Sequence, residues 1–447
     1  MSTTESKKRE LAAHSIIEHL VANGYTALYA GGYVRDMLMK IDGGGDIDIA
    51  TNAKPETISK LFNQTIGVGE QFGVMIVVVQ GIPFEVATFR SDIGISDGRH
   101  PAGVVFTDAR NDALRRDFTI NGIFFDPLTN SIHDYVEGAA DIEKKIIRAI
   151  GDPRLRFEED YLRILRAIRF AARFNFSIHE DTWRAVKNNA HKITTISTER
   201  IFAEIDKILK QPHPDVALSL LNESGILPLI LPEIADEIGI EQPPEFHPEG
   251  DVFTHTKKAL SLMGPAPSQI LAWSVLLHDI GKPATISISD RIRFNNHDRV
   301  GAQMAKELLK RLKASNSLIE GVGDCIENHM NFKNVTSMRL STLKRFLSRD
   351  TILDELELHR IDCLASHGIL ENYQFIKSRH QEMAVEQLKP DPLLTGKDLI
   401  DLGLKPGPLF GEILTEVYDL QLEDNFESKS DAVEFVRSRW IQPKIRS

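Results

Sequence analysis

The chain has 447 residues, 42% hydrophobic and 26% charged, with a formal net charge of -11. That length exceeds a single core and predicts two to four domains, and the acidity argues against a sequence-independent duplex binder while leaving room for RNA contact through a local basic face. Apolar runs such as Val74–Val79 are too short to span a membrane, the polar start MSTTESKKRE lacks the apolar stretch of a secretory signal, and Cys325 and Cys363 give no disulfide framework, so a reducing, cytoplasmic setting is expected.

The first 150 residues read as α/β. An amphipathic helix is predicted over Glu10–Ala22, then a short strand in ALYA running into the Gly31–Gly32 turn, then a helix start over Val34–Met39. DIDIA, VMIVVVQG and PFEVATFR are strand-like, rich in Val and Ile and bounded by glycine or proline. Residues 154 to 210 lose the strand signal, and the chain stays helical to about residue 385. LKPDPLL, with Pro390 and Pro392, reads as a linker before a small helical tail broken at KPGP.

Asp46 and Asp48 sit two apart in DIDIA. On a strand they face one way while Ile47 and Ile49 face a core. Two such carboxylates raise each other's pKa, and a hard divalent cation such as Mg²⁺ relieves the repulsion. Gly31 and Gly32 open the backbone to a phosphate at a helix start, and Arg35 lies one turn into that helix. Glu85, between Phe84 and Val86, alternates out of the core and supplies a third carboxylate. A nucleotidyltransferase palm is the leading reading; a solvated strand end and a surface glutamate remain the alternative on these residues alone.

The blocks GGYVRD…GDIDIAT, EVATFR, DGRHP, RRDFTINGIFFD and FEEDYLRILRAIRF, in that order over about residues 25 to 205, resemble the class II tRNA nucleotidyltransferases, the CCA-adding enzymes and their poly(A) polymerase relatives. The resemblance implies an α/β nucleotidyltransferase palm followed by an all-α neck, a helical body and a small helical tail: head 1–150, neck 151–215, body 216–388, tail 389–447. It implies tRNA, CTP and ATP as partners, Mg²⁺ on Asp46 and Asp48, and Glu85 as the third catalytic carboxylate. It further assigns Arg116, Asp117 and Asn121 to ribose and phosphate.

In EEDYLRILRAIRF, Asp160 and Arg163 are three apart on a predicted helix and so share a face. Cytosine and adenine both offer an amino donor beside a ring-nitrogen acceptor; a fixed carboxylate and a fixed guanidinium match that edge. The resemblance gives these roles to Asp160 and Arg163. Arg166 continues the nucleotide-binding face, and Arg169 and Arg173 extend it as a basic stripe toward RNA phosphate. FRSDIGISDGRHPAGVVF is full length, which favours addition of the final adenosine. IGVGEQFGVMIV carries Glu70 and no arginine, which favours CCA addition over poly(A) addition; addition of adenosine alone stays open.

WSVLLHDIGKPAT places His278 and Asp279 at the end of an apolar helix. With His255, His297, His329 and Asp362 it resembles the HD phosphohydrolase superfamily, which implies a divalent metal of unspecified type and attack on a phosphoester. The competing expectations are therefore an HD phosphohydrolase with a nucleotide-sensing head and a non-catalytic RNA-binding scaffold. Lys397 and Lys405, in the tail, are candidate tRNA contacts.

Overall fold

The computed structural model describes residues 3–41, 46–95, 101–383, 385–426 and 428–441. Gly43, Gly44 and Gly45, and the DGRH stretch at 97–100, lie outside them. The chain divides into two compact units, Met1–Pro232 and Glu233–Ser447.

The first unit is built on strands β1 (Ala27–Ala30), β2 (Asp48–Thr51), β3 (Thr65–Gly69), β4 (Val74–Val79), β5 (Ile82–Thr88), β8 (Ile123–Asp126) and β9 (Ser131–Asp134), in the order β3-β4-β5-β2-β1-β8-β9. β2 and β5 run parallel and the other neighbours antiparallel. β6 (Arg90–Ile95) and β7 (Pro101–Phe106) form a separate antiparallel pair. Helix α1 (Thr3–Ala22) lays Ala13, Ile16, Ile17 and Leu20 on one sheet face, against Ile49, Val77, Phe84 and Val86. Each buried Ile or Leu there contributes about 1.5–3 kcal/mol. Helix α2 (Gly31–Leu38), through Val34, and α3 (Pro55–Leu61), through Ile58, share that core. On the opposite face α4 (Ala109–Leu114) covers Leu28, Ala50, Phe89 and Phe124 with Ala109 and Ala113.

Beyond the sheet come α5 (Gly138–Lys144), α6 (Pro153–Glu159), α7 (Leu162–Phe174), α8 (Glu180–Asn188) and α9 (Thr198–Leu209). The helical region is not continuous, because Asp160 takes an extended backbone (φ −159°, ψ 104°) that ends α6 before α7 begins. Two further departures from expectation bear on the site. α2 starts at Gly31, not Val34, because Gly31 adopts φ +66° and turns β1 straight into the helix. β2 starts at Asp48, so Asp46 precedes the strand.

In the second unit, helices Val252–Ser261, Gln269–Leu277, His297–Arg311, Asn316–Asn328 and Ile352–Ala365 surround a core that includes Trp273, Leu276, Ile326 and Ile361. A Cβ on Gly281 would lie 2.2 Å from the His297 carbonyl oxygen and 2.6 Å from the Gly301 nitrogen. Only glycine lets the segment after Asp279 pack this tightly on the helix that begins at His297. A hairpin, Ile286–Ile288 with Ile292–Phe294, interrupts the expected all-helical run. Helices Gly396–Asp401, Pro408–Leu422 and Lys429–Val436 enclose Leu399, Ile413, Val417 and Val436. Among the described residues, no helix is long and apolar enough to cross a membrane.

Candidate active site and a second candidate metal centre

Ile49 pairs with Val86 in the parallel β2–β5 ladder, so Asp48 and Glu85, each one residue earlier, are neighbours on adjacent strands. Burial, then the charge of Glu85, raises the Asp48 carboxyl to about 6. Asp46 does not share the strand face as expected. Its side chain is 87% exposed, and its Oδ1 accepts from Nη2 of Arg9 on α1 at 2.6 Å. Oxygen donors that repel one another in this way suit a hard divalent cation. Asp48 and Glu85, neighbours on adjacent strands, are donors of the kind such an ion takes; Asp46 is paired with Arg9 instead.

A cavity of about 600 Å³ opens beside Asp48 and Glu85. Among the described residues, nine arginines line it (Arg35, Arg90, Arg115, Arg116, Arg163, Arg166, Arg169, Arg173 and Arg200) against four carboxylates, Asp48, Glu85, Asp117 and Asp160. That surplus of guanidinium groups suits a polyanion such as a nucleoside triphosphate. Gly31 and Gly32 line the cavity at the start of α2, where the first backbone amides of a helix have no intrahelical acceptor. A Cβ on Gly31 would sit 3.3 Å from Arg116 Nη1 and 3.5 Å from Asp48 Oδ2.

Asp117 organises the cavity floor. One oxygen accepts from the Phe118 amide at 2.8 Å and from Asn121 Nδ2 at 2.9 Å. The other accepts from Arg166 Nε at 2.8 Å. Burial pushes this carboxyl up, but Arg166 and the hydrogen bonds outweigh it and lower the pKa to about 2. Asn121 in turn accepts from Arg35 Nη1 at 2.7 Å, and Arg35 lies 4.7 Å from the Phe174 ring centroid. Arg116 is fixed by Asp112 at 3.0 Å and by the Asn121 carbonyl at 3.2 Å.

Asp160 and Arg163 both face the cavity, but not as an i,i+3 pair on one helix. Asp160 sits in the break, where its Oδ1 accepts from the Leu162 amide at 3.0 Å. That local bond offers the chain an alternative to helix, as short carboxylate side chains do. Its Oδ2 accepts from Arg200 Nη2, on α9, at 2.7 Å. Arg163 is on α7; its Nη1 donates to Glu159 and, at 2.9 Å, to the Arg156 carbonyl. The stripe on α7 is real but unevenly exposed. Arg169 is 6% exposed and donates to Glu204 at 2.7 Å, whereas Arg173 donates to Asp36 at 3.1 Å.

In the second unit, the structure brings His255, His278, Asp279, His297, His329 and Asp362 together. His255 Nε2 is 3.2 Å from both His278 Nε2 and Asp362 Oδ1. Asp279 reaches His278 Nε2 at 3.3 Å with Oδ2, and His297 Nε2 at 3.7 Å with Oδ1. His297 Nε2 lies 3.2 Å from His329 Nε2. The Nδ1 atoms of those last two rings donate to the Phe294 and Ile326 carbonyls. Burial lowers both rings' pKa, His329 to about 4, so both are neutral at pH 7. Two imidazole lone pairs then face one another, which repels unless a cation lies between them. The donor set of four imidazoles and two carboxylates fits a divalent transition metal. Burial lowers the His255 pKa, but Asp362, Glu249 and Asp279 raise it to about 9 overall, so ion loading there must release a proton.

Comparison with known proteins places this architecture. The model "Poly A polymerase head domain" matches residues 27–148, "Probable RNA and SrmB-binding site of polymerase A" residues 175–238, and tRNA nucleotidyltransferase domain 2 residues 298–436. A CCA-adding enzyme of Pediococcus pentosaceus is 30% identical over 433 residues, covering 94% of this chain and 96% of that one. The chain belongs to the CCA-adding enzyme / poly(A) polymerase family. A Geobacillus CCA-adding enzyme of the family is 43% identical over 226 residues, 50% of this chain and 55% of that one. The crystal structure of the Bacillus stearothermophilus CCA-adding enzyme in complex with CTP superposes with a TM-score of 0.72 at 25% identity, covering 98% of this chain and 99% of that one.

Sequence reasoning missed several residues that this family member brings to its sites. Arg9 and Arg200 are single arginines on amphipathic helices, with no local pattern to set them apart. Arg90 and Arg115 stand next to recognised blocks without belonging to their polar core. Lys282, which donates to Gln242 at 2.6 Å and pairs with Asp279 at 2.7 Å, was visible as the lysine of HDIGK. Glu249 stands in HPEGD, which by itself gives no signal of its role.

Proposed function

We propose that this protein adds CCA to tRNA 3′ ends from CTP and ATP without a template, releasing pyrophosphate. One observation carries the reading: a carboxylate pair on adjacent parallel strands opens onto a cavity crowded with arginines, in a chain of the CCA-adding family. Asp46, Asp48 and Glu85 would hold Mg²⁺, which when bound stabilises charge on the attacking and leaving oxygens. The RNA 3′ hydroxyl gives up its proton to solvent as its oxygen attacks the α-phosphorus, the bond from that phosphorus to the bridging oxygen breaks, and pyrophosphate leaves. Gly31, Gly32, Arg35, Arg116, Asp117 and Asn121 seat the triphosphate and ribose. Asp160 accepts from the amino group shared by cytosine and adenine, and Arg163 donates to the ring nitrogen beside it. Arg166 steadies the nucleotide face through Asp117, and Arg169 and Arg173 lead toward RNA phosphate. Head 1–150, neck 151–215, body 216–388 and tail 389–447 divide the work, with tRNA also touching Lys397 and Lys405, in the cytoplasm. The test is incubation with tRNA lacking CCA, labelled CTP and ATP, and Mg²⁺. Addition of C, C and A that then stops is expected; long A tails would indicate poly(A) synthesis, A alone an A-adding enzyme, and no transfer a scaffold or a nucleotide-sensing head.

A second activity is favoured by the six-residue cluster of the second unit. We infer that His255, His278, Asp279, His297, His329 and Asp362 would hold one or two divalent ions. Such ions supply a nucleophilic hydroxide to a phosphoester, here a terminal or 2′,3′-cyclic phosphate at an RNA end. Purified protein loaded with each of several divalent metals should release phosphate from such ends, and His278→Ala should not. Equal release by both would sink this reading.

A further inference from the structure

The four imidazoles of the second centre are aimed by two different devices. His278 and His329 cap the C-termini of helices Gln269–Leu277 and Asn316–Asn328. Each ring's Nδ1 donates to the carbonyl three residues back, Val275 and Ile326, in a last helical turn whose carbonyls lack the usual i+4 amide and keep acceptor capacity to spare, the Ile326 carbonyl taking the His329 amide as well. His297 opens its helix and uses the Phe294 carbonyl of the preceding strand at 2.8 Å. His255 has no such option. It lies inside Val252–Ser261, where the nearby carbonyls are taken by the helix itself.

Its Nδ1 is instead met by a side chain. Oε1 of Glu249 lies 2.6 Å from His255 Nδ1 and 2.9 Å from His247 Nδ1. The His255 ring is fully buried and the Glu249 side chain is 4% exposed. His247 meets the His255 ring edge-on at 5.1 Å, and both Nδ1 atoms converge on the one oxygen Oε1, while Oε2 of Glu249 is buried without a hydrogen-bond partner among the described residues. His247, Glu249 and His255 are close enough to share an ion of their own. Such an ion would take Nδ1 of His255 while Nε2 faced the main cluster, requiring a doubly coordinated imidazolate; two short hydrogen bonds account for the geometry without it.

We propose that Glu249 is a positioning residue for the second centre: by accepting the Nδ1 proton of His255 it fixes the tautomer that turns Nε2 toward the ion, and His247 holds Glu249 in that pose. The proposal rests on reading the six-residue cluster as an ion site. Carboxylates behind metal-bound imidazoles raise ligand basicity and set ring orientation, and their loss weakens affinity about 10–100-fold.

The full-length protein, wild type and variants, is stripped with chelator and titrated separately with Mn²⁺, Co²⁺, Ni²⁺ and Zn²⁺ against a chromophoric chelator, with stoichiometry read by mass spectrometry. Glu249→Ala should weaken the tightest ion about 10–100-fold, and Glu249→Asp should recover part of the loss. Transfer of CTP and ATP by Glu249→Ala should match wild type, because Glu249 lies outside the arginine-lined cavity. Affinity within twofold of wild type overturns the proposal alone. Absence of ion binding by wild type overturns the ion-site reading and the proposal with it. If Glu249→Ala does not fold, Glu249→Leu, which fills the space without offering Nδ1 an acceptor, replaces it under the same criterion.

Discussion

Nη2 of Arg200 lies 2.7 Å from Oδ2 of Asp160, and the Leu162 amide lies 3.0 Å from Oδ1. The two bonds hold the carboxylate plane from both ends, leaving the remaining lone pairs to the cavity. Arg200→Gln should therefore loosen base choice: UTP and GTP use should rise about tenfold relative to CTP and ATP, the effect of a hydrogen bond worth on the order of 1–1.5 kcal/mol. Single-turnover extension with each nucleotide measures this. If Asp160→Ala relaxes selectivity and Arg200→Gln does not, Arg200 has no part in it.

Asp48 gives a pH dependence whose sign is fixed. Its folded pKa is raised to about 6, above the roughly 3.9 of an unfolded aspartate. Between those values the folded chain holds more protons, so in metal-free protein this group's contribution to stability falls as pH rises from about 4 through about 6. At pH 7.5 the charge costs on the order of 3 kcal/mol. Asp48→Asn should thus melt higher than wild type at pH 7.5 without metal, converge with it near pH 4, and lose nucleotide transfer. A lower melting point at pH 7.5 would contradict the assignment.

Gly31→Ala should impair nucleotide handling more than folding. The φ of +66° costs a non-glycine residue about 1 kcal/mol. The new methyl would also press on Arg116 at 3.3 Å, beside the triphosphate seat. A rise in KM for both CTP and ATP is expected, of similar size for each. An unchanged KM would show that the rim of the cavity tolerates a side chain.

Arg9 occupies Asp46 where a cation is expected. Exposed ion pairs contribute about 0–1 kcal/mol, so Arg9→Ala should tighten Mn²⁺ binding by no more than about fivefold. Titration followed by Mn²⁺ electron paramagnetic resonance reads this directly. Weaker binding in the variant would mean that Arg9 shapes the site rather than competing for it.

The sheet was readable because β2, β4 and β5 alternate or run apolar with Val and Ile, and the carboxylates were readable because that alternation turns Asp48 and Glu85 out of the core. The break at Asp160 was not. EEDYLRILRAIRF has unbroken helical periodicity, and the interruption comes from a side chain capping its own backbone and bonding to Arg200, forty residues on. Asp46 was misplaced for a related reason: its partner, Arg9, lies on a helix whose pattern announces only an apolar face. The clustering of His255, His278, His297 and His329 with Asp279 and Asp362 was legible because histidines among apolar helices are rare enough to count. Glu249 was hidden, since the need for it arises only from where His255 falls within its helix.

The crowd of guanidinium groups has a bearing on how wrong nucleotides behave. Arginines bind phosphate oxygens, and those are the same in all four nucleoside triphosphates; with the triphosphate seated as proposed, entry to the cavity would be indiscriminate and rejection would come from the contacts of Asp160 and Arg163 with the base. UTP and GTP are accordingly expected to be poor building blocks and good squatters: each should inhibit incorporation competitively, at concentrations close to those at which CTP and ATP are used.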